Sequence, residues 1–267
     1  MPPKLDLYNN DYGNYESEAY REVRIETYGE DLGQTSWVTT EESAEIPQLL
    51  GLTRDSYVLE IGCGSGRYAL HLAEKVGCRI LGLDINESGI RNANQLAQAA
   101  GLSSLASFQQ VDASKNLLFD EETFDAVFSN DVMCHLPGRL GVLAEIFRVL
   151  NPNGRILFTD ALVIAGMISA EEISTRSSIG FYEYSPPGEN ERLMAQVGFS
   201  GIRAIDTTEN AARISQRRHD AREKHKTDLV TAEGSANFDG IQRFLSYVHN
   251  LTSEKRLLRY LYFATKP

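Results

Sequence analysis

The stretch "VLEIGCGSGR", Val58 to Arg67, carries three glycines at alternate positions, Gly62, Gly64 and Gly66, just after a short apolar run that contains Glu60. Glycine has no Cβ, so such a run bends sharply at the end of a strand and lets the backbone approach a ligand. A helix starting at Arg67 would point unpaired N–H groups and a positive dipole end at that turn. A dinucleotide fingerprint has the form G-x-G-x-x-G. Here Gly62 and Gly64 fit, but Arg67 stands at the third-glycine position. The pyrophosphate signature fails at one of its three glycines.

Working outward from this turn, the pattern alternates. Strands are predicted at Tyr57–Ile61, Arg79–Leu83, Ser107–Val111, Phe124–Ser129 and Arg155–Thr159. Helices are predicted at Arg67–Val76, Asn86–Ala100 and Leu140–Leu150, with "NPNG" as a turn into the fifth strand. Strands alternating with helical patterns give βαβ units, hence a doubly wound, mainly parallel α/β sheet. Upstream, residues 1–50 are helix-prone. Thr39 or Thr40 is placed to cap a helix that presents Ile46, Leu49 and Leu50 and ends at Gly51. Past Asp160 come a short helix candidate, the aromatic loop "FYEYSPPGEN", a helix over 191–198 and a strand at Ser200–Asp206. Helices over 209–256 and a last strand at Arg259–Ala264 complete the chain. The division this predicts is a helical lid (1–50), a ligand-binding core (51–160), a substrate-cap insertion (161–190) and the rest of the core with a helical excursion (191–267).

Bulk properties narrow the function. With 37 acidic against 26 basic residues the net charge is −11, which disfavours broad nucleic-acid binding. The basic run "RISQRRHDAREKHKTD" is interspersed with acids and reads as a solvated helix face. Cys63, Cys78 and Cys134 form no CxxC pair, as expected of reduced thiols in a cytoplasmic protein. The N-terminal residues hold no apolar leader segment, and no apolar run approaches the ~20 residues that span a bilayer. No metal site is expected.

Two more acids sharpen the ligand. Asp84 ends the second strand in "ILGLDIN", where a carboxylate can accept both hydroxyls of a ribose. Asp112 ends the third strand in "FQQVDAS", where it can accept from an adenine amine. Singly, each is more commonly a helix cap. Glu60 adds negative charge at the turn, which suits an ammonium or sulfonium and not a diphosphate. S-adenosylmethionine combines ribose, adenine and both cations without phosphate. "VLEIGCGSGRYALHLAEKVGCRILGLDIN", "VDASKNLLFDEETFDAVFSNDVMCHLP" and "EIFRVLNPNGRILFTD" resemble the motifs of class I S-adenosylmethionine-dependent methyltransferases, the last with Asn151 and Asn153 in place of the common Lys and Gly. The closer likeness is to the small-molecule branch: sarcosine/dimethylglycine, phosphoethanolamine, tocopherol and ubiquinone/menaquinone methyltransferases. The resemblance implies a Rossmann-like, seven-stranded sheet with the last strand antiparallel, plus a helical cap. It implies that Glu60, Gly62, Gly64 and Gly66 line the methionine moiety. Asp84, with Ile85, would hold the ribose; Asp112, with Ala113, the adenine; Asn130 would face the sulfonium.

Methyl transfer is an in-line displacement in which alignment and exclusion of water do much of the work. His135, just past the fourth strand in "NDVMCHLP", is the candidate base, since a histidine titrates near neutrality. The plainer reading has it capping the loop or packing over adenine. Asp131 is placed to pair with it or to bind a cationic acceptor, or only to cap the turn. Tyr182 and Tyr184, with Phe181, could wall a pocket or cage an alkylammonium; packing within a cap is the plainer alternative. Tyr28 and Trp37 are the lid's candidate substrate contacts. The expected product is S-adenosylhomocysteine and the expected partner a small-molecule acceptor bearing the methyl on nitrogen, oxygen or carbon. An RNA or protein methyltransferase and a non-catalytic cofactor-binding protein are the alternatives. An NAD-dependent oxidoreductase is disfavoured by Arg67, and oligomeric state stays open.

Overall fold

The structure is a computed structural model that describes residues 4–267. The elements in order are α1 (Tyr8–Gly13), α2 (Glu18–Tyr28), α3 (Thr40–Leu50), β1 (Tyr57–Ile61), α4 (Arg67–Val76), β2 (Arg79–Asp84), α5 (Glu87–Ala99), β3 (Ala106–Gln110), β4 (Phe124–Ser129) and α6 (Arg139–Val149). They continue as β5 (Leu150–Ile164), α7 (Ala170–Arg176), α8 (Glu189–Val197), β6 (Ser200–Asp206), α9 (Thr208–Lys224), α10 (Lys226–Glu233), α11 (Ser235–Ser253) and β7 (Leu257–Thr265).

The seven strands form one sheet in the order β3-β2-β1-β4-β5-β7-β6. β1 to β5 pair in parallel, and β7 runs antiparallel to both β5 and β6. β1 and β4 are almost wholly buried because helices cover both faces: one layer packs around Leu59, Val127 and Phe158, the other around Val58, Phe128 and Leu157. The strand order reverses between β1 and β4. Chains leaving their carboxyl ends diverge there and open a crevice, the position where open α/β sheets bind ligands.

Local chemistry sets the ends of the elements. Thr39 caps α3, its hydroxyl accepting the Glu42 N–H at 3.2 Å, and Gly51 closes that helix in the left-handed region. Asn86 caps α5 by accepting the Gly89 N–H at 3.0 Å. β3 lies one residue earlier than its sequence pattern predicts, so Asp112 falls in the following loop. The expected "NPNG" turn is a bulge inside β5: Phe124 faces Leu150, yet Ala126 faces Arg155. Asn153 takes a positive φ of 64° within it.

Helices α9 and α11 do not extend the sheet's flanking layer alone. They share a cluster with the chain's beginning and the 161–190 stretch, through Leu5, Trp37, Ile179, Ile214 and Phe244. Three separated segments therefore share one apolar cluster, and two of them, the chain's beginning and the 161–190 stretch, also line the crevice. Among the described residues, no helix is long and apolar enough to cross a membrane.

Candidate active site

The crevice opens into a cavity of about 960 Å³, at the upper end of the ~300–1,000 Å³ usual for small-molecule sites. Its floor is the glycine turn. Gly62, Gly64 and Gly66 have φ of 79°, 53° and 70°, values that favour glycine. A Cβ on Gly62 would collide with the Val132 side chain, and one on Gly64 would lie 2.6 Å from the Tyr12 hydroxyl. Gly66 differs from the other two, for it is not on the cavity wall. It caps α4, and its missing Cβ admits Ala93 and Phe108, both at 2.6 Å. Its place is in the packing beneath the turn, away from the methionine contact that the resemblance implies.

Asp84 ties this turn to β2. One carboxylate oxygen accepts the Gly64 N–H and the other the Asn86 N–H, both at 2.8 Å. Ile85 beside it is an exposed apolar side chain at the cavity rim. Asp112 and Ala113 face the cavity from the loop after β3. Hydrogen bonds from Ser114 and then the ion pair with Lys115 hold the Asp112 carboxyl below its usual range.

Five buried polar atoms on the wall lack partners: Glu60 Oε2, Asn130 Oδ1, Gln34 Nε2, and Nε and Nη1 of Arg176. Burial first, and the Asp84 carboxylate second, push the Glu60 carboxyl up to about 8. Buried groups of this kind are costly unless a ligand completes them. Apart from Arg176, the oxygens of Glu60 and Asn130 and the Gln34 amide N–H match a group carrying both an ammonium and a carboxylate. The methionine end of S-adenosylmethionine is such a group, so the residues present fit the cofactor.

A second cluster lies above. β4 leads into Asn130 and Asp131, then a 3-10 turn at Met133–His135. His135 Nδ1 lies 3.0 Å from the Phe181 carbonyl oxygen, an acceptor, which makes Nδ1 the protonated nitrogen. Nε2 is then an acceptor and receives the Tyr8 hydroxyl at 2.9 Å. Burial lowers the His135 pKa to about 4. The expected free base near neutrality is therefore replaced by a neutral, doubly bonded imidazole, because the cap dehydrates it. The Tyr8 hydroxyl, itself pushed well up by burial, is the group that His135 orients. Tyr182 stacks beside the imidazole, with ring centres 4.4 Å apart.

Asp131 is placed differently from either expected role. Its carboxylate accepts the Trp37 backbone N–H at 2.8 Å and pairs with Arg259 Nε at 2.9 Å. Arg259 also pairs with Glu42 at 2.8 Å, tying β4, α3 and β7 together. Asp131 holds a φ of 58°, a strained value for a residue with a side chain, fixed by its own N–H on the Thr159 hydroxyl at 2.8 Å. It neither pairs with His135 nor stands free for a cation.

Of the four aromatic contact candidates, Trp37 and Tyr182 reach the cavity wall. Tyr28 and Tyr184 do not line this cavity. The Tyr28 hydroxyl donates to the Ser36 carbonyl at 2.6 Å and holds the lid loop. Tyr184 bonds Ser177 at 3.0 Å and packs among Leu162, Leu251 and Leu257. Sequence reasoning missed Tyr8, Tyr12 and Arg176. The pair Tyr8 and Tyr12 sits at i, i+4 in "YNNDYG", a spacing that puts both on one helical face and was the available signal.

Comparison with known proteins agrees with this geometry. A family described as a methyltransferase domain matches residues 59–158, from β1 to β5. A sarcosine/dimethylglycine N-methyltransferase of Halorhodospira halochloris is 30% identical over 227 residues, covering 79% of this chain and 77% of that protein. Phosphoethanolamine N-methyltransferase 1 of Zea mays is 27% identical over 209 residues, 78% of this chain. The chain spans only 41% of the maize protein's length. In fold, Haemonchus contortus phosphoethanolamine N-methyltransferase 2, solved with phosphomonomethylethanolamine and S-adenosylhomocysteine, superposes with a TM-score of 0.81 at 19% identity. That match covers 97% of this chain and 60% of the other.

The fold and the crevice define a class I, Rossmann-like methyltransferase. Within that class, the chain belongs to the small-molecule branch of the S-adenosylmethionine-dependent methyltransferases.

Proposed function

We propose that this chain transfers a methyl group from S-adenosylmethionine to a small-molecule acceptor, with nitrogen as the favoured atom. The observation that carries the reading is one cavity joining the unfilled acceptors Glu60 Oε2 and Asn130 Oδ1 to the Tyr8–His135 pair. When bound, the cofactor supplies an activated methyl on a sulfonium, a leaving group that needs little further help. Glu60 and Asn130 would fix the methionine end, Asp84 and Asp112 the ribose and adenine. Tyr8, Tyr12, Trp37 and Tyr182 would close the cavity and keep water out.

The hydroxyl of Tyr8 spends its proton on His135, which leaves its oxygen lone pairs facing the acceptor. They would accept an N–H of the acceptor amine and aim its lone pair, a positioning effect. Nitrogen is favoured because the relatives that match about four fifths of this chain are named as N-methyltransferases. Residues 1–50 and 161–190 would serve as lid and cap over the core at 51–160. Three free cysteines, all buried, support a reducing, cytoplasmic setting. The net charge of −11 argues against nucleic acid as acceptor.

Incubating the chain with S-adenosylmethionine and a panel of small amines, and measuring S-adenosylhomocysteine release, tests this. Release that depends on an added amine supports the reading. Tight cofactor binding with no release for any small acceptor would move the protein to the non-catalytic alternative.

A further inference from the structure

Four arginine side chains are almost wholly excluded from solvent: Arg139, Arg176, Arg222 and Arg259. Three of them have carboxylate partners: Asp160 for Arg139, Glu233 for Arg222, and Asp131 with Glu42 for Arg259. Arg176 has none within 4 Å among the described residues, and neither its Nε nor its Nη1 has a hydrogen-bond partner. It is 1% exposed to solvent and lies on the wall of the cavity described above.

A buried guanidinium without a counter-ion is expensive, by several kcal/mol in general. The rings around it offset part of that cost: Tyr182 lies 4.5 Å from its Cζ, Phe244 5.1 Å and Trp37 5.9 Å. The Tyr182 hydroxyl also bonds the guanidinium, but a neutral hydroxyl and ring faces do not replace a carboxylate. The titratable groups facing it do not supply charge either. Burial pushes the Tyr182 and Tyr184 hydroxyls and the Cys134 thiol up, so all three are neutral around pH 7. The nearby carboxylates of Asp131 and Asp160 are already engaged by Arg259 and Arg139.

We infer that Arg176 receives the anionic group, carboxylate or phosphate monoester, of a small zwitterionic methyl acceptor. The placement fits a short molecule. The Tyr182 ring touches both groups, its centre 4.4 Å from that of the His135 ring and 4.5 Å from Arg176 Cζ. An acceptor whose anion and amine are a few bonds apart would span from Arg176 to the Tyr8 hydroxyl. Neutral amines and hydrocarbon acceptors leave Arg176 uncompensated and are rejected on that ground. This inference rests on the methyl-transfer reading of the same cavity.

The test uses the full chain saturated with S-adenosylhomocysteine and titrated with phosphoethanolamine, sarcosine and ethanolamine. One of the two anionic amines should bind about tenfold or more tighter than ethanolamine, and which one does so tells phosphate from carboxylate. Arg176→Met should cut that preference to within about threefold, while Arg176→Lys keeps part of it. A second readout separates binding from scaffolding. If the anion is the partner that Arg176 lacks, Arg176→Met melts at or above the native temperature without ligand, since it removes an uncompensated charge. A markedly lower melting temperature with the preference intact assigns Arg176 to structure and overturns the inference. So does a chain that binds S-adenosylhomocysteine yet binds neither anionic amine better than ethanolamine. Failure to bind S-adenosylhomocysteine at all would instead sink the methyl-transfer reading, and this inference with it.

Discussion

The Tyr8 hydroxyl donates to His135 Nε2 at 2.9 Å across 127 residues of sequence, joining the first helix to the loop after β4. The first helix and a core loop thus share one hydrogen bond, and on the proposed reading the acceptor's place is defined only when both are docked. Tyr8→Phe and His135→Ala should each lower kcat by about 10- to 100-fold, below the full range of general acid–base effects, because the pair positions rather than titrates. The double variant should be no slower than the worse single one. Affinity for S-adenosylhomocysteine, read by calorimetry, should hardly change. Additive losses would show two independent roles.

Asp84 pins the glycine turn, with each oxygen on a different backbone N–H. Asp84→Ala removes both bonds along with the proposed ribose contacts. The stabilisation by S-adenosylhomocysteine, about 2.7 kcal/mol at 100 times the dissociation constant, should vanish from the melting curve at that concentration. Retention of a native shift would detach Asp84 from the cofactor.

Glu60 makes the ligand-free protein pH-sensitive in an unusual direction. Its carboxyl is raised to about 8 in the fold, so the native state holds a proton that the unfolded chain has released. That stabilising effect is complete below the ordinary glutamate range near 4.5 and is lost as pH rises towards 8. Glu60→Gln should flatten the decline of ligand-free stability between those values, seen in urea melts at several pH values. His135 acts oppositely. Its pKa is depressed to about 4, so its contribution is present above the ordinary 6.5 and disappears as pH falls towards 4.

Gly62 has no room for a side chain. With φ at 79° and Val132 packed against it, Gly62→Ala should cost about 1–3 kcal/mol of stability and displace the loop that carries His135. Gly138, also at positive φ but with nothing within 4 Å of an added Cβ, provides the control. Its Ala variant should lose about 1 kcal/mol from backbone strain alone. Equal losses in chemical denaturation would mean that the Val132 contact is irrelevant.

Local patterns carried the fold because its signals are local. The run of Val58 to Arg67 states a strand, a turn and a helix start within ten residues, and Asp84 and Asp112 follow at sheet spacing. The cofactor was legible from those, and the methyltransferase class from the resemblance of the three motif stretches. What could not be read was set by contacts between distant segments. Nothing near Asp131 announces Arg259, 128 residues away, as its partner. No feature of "HLP" shows that the cap will dehydrate His135 and fill both of its nitrogens. Tyr28 and Tyr184 look like Trp37 and Tyr182 in composition; only the path of the lid decides which pair faces the cavity. Arg176 was invisible for the reverse reason, since its meaning lies in a partner that is missing.

The strand β7 follows every other element in the chain yet lies between β5 and β6 in the sheet. Until residues 257–265 arrive during synthesis, β5 has an open edge and β6 has no neighbour at all. Arg259 sits on that same strand, so Asp131 and Glu42 wait for it as two uncompensated carboxylates. A nascent chain lacking its final strand therefore exposes pairing-competent backbone and an unneutralised site, a state prone to wrong partners. Closing the β5 edge, pairing β6 and neutralising Asp131 and Glu42 thus all depend on the same nine residues, 257–265.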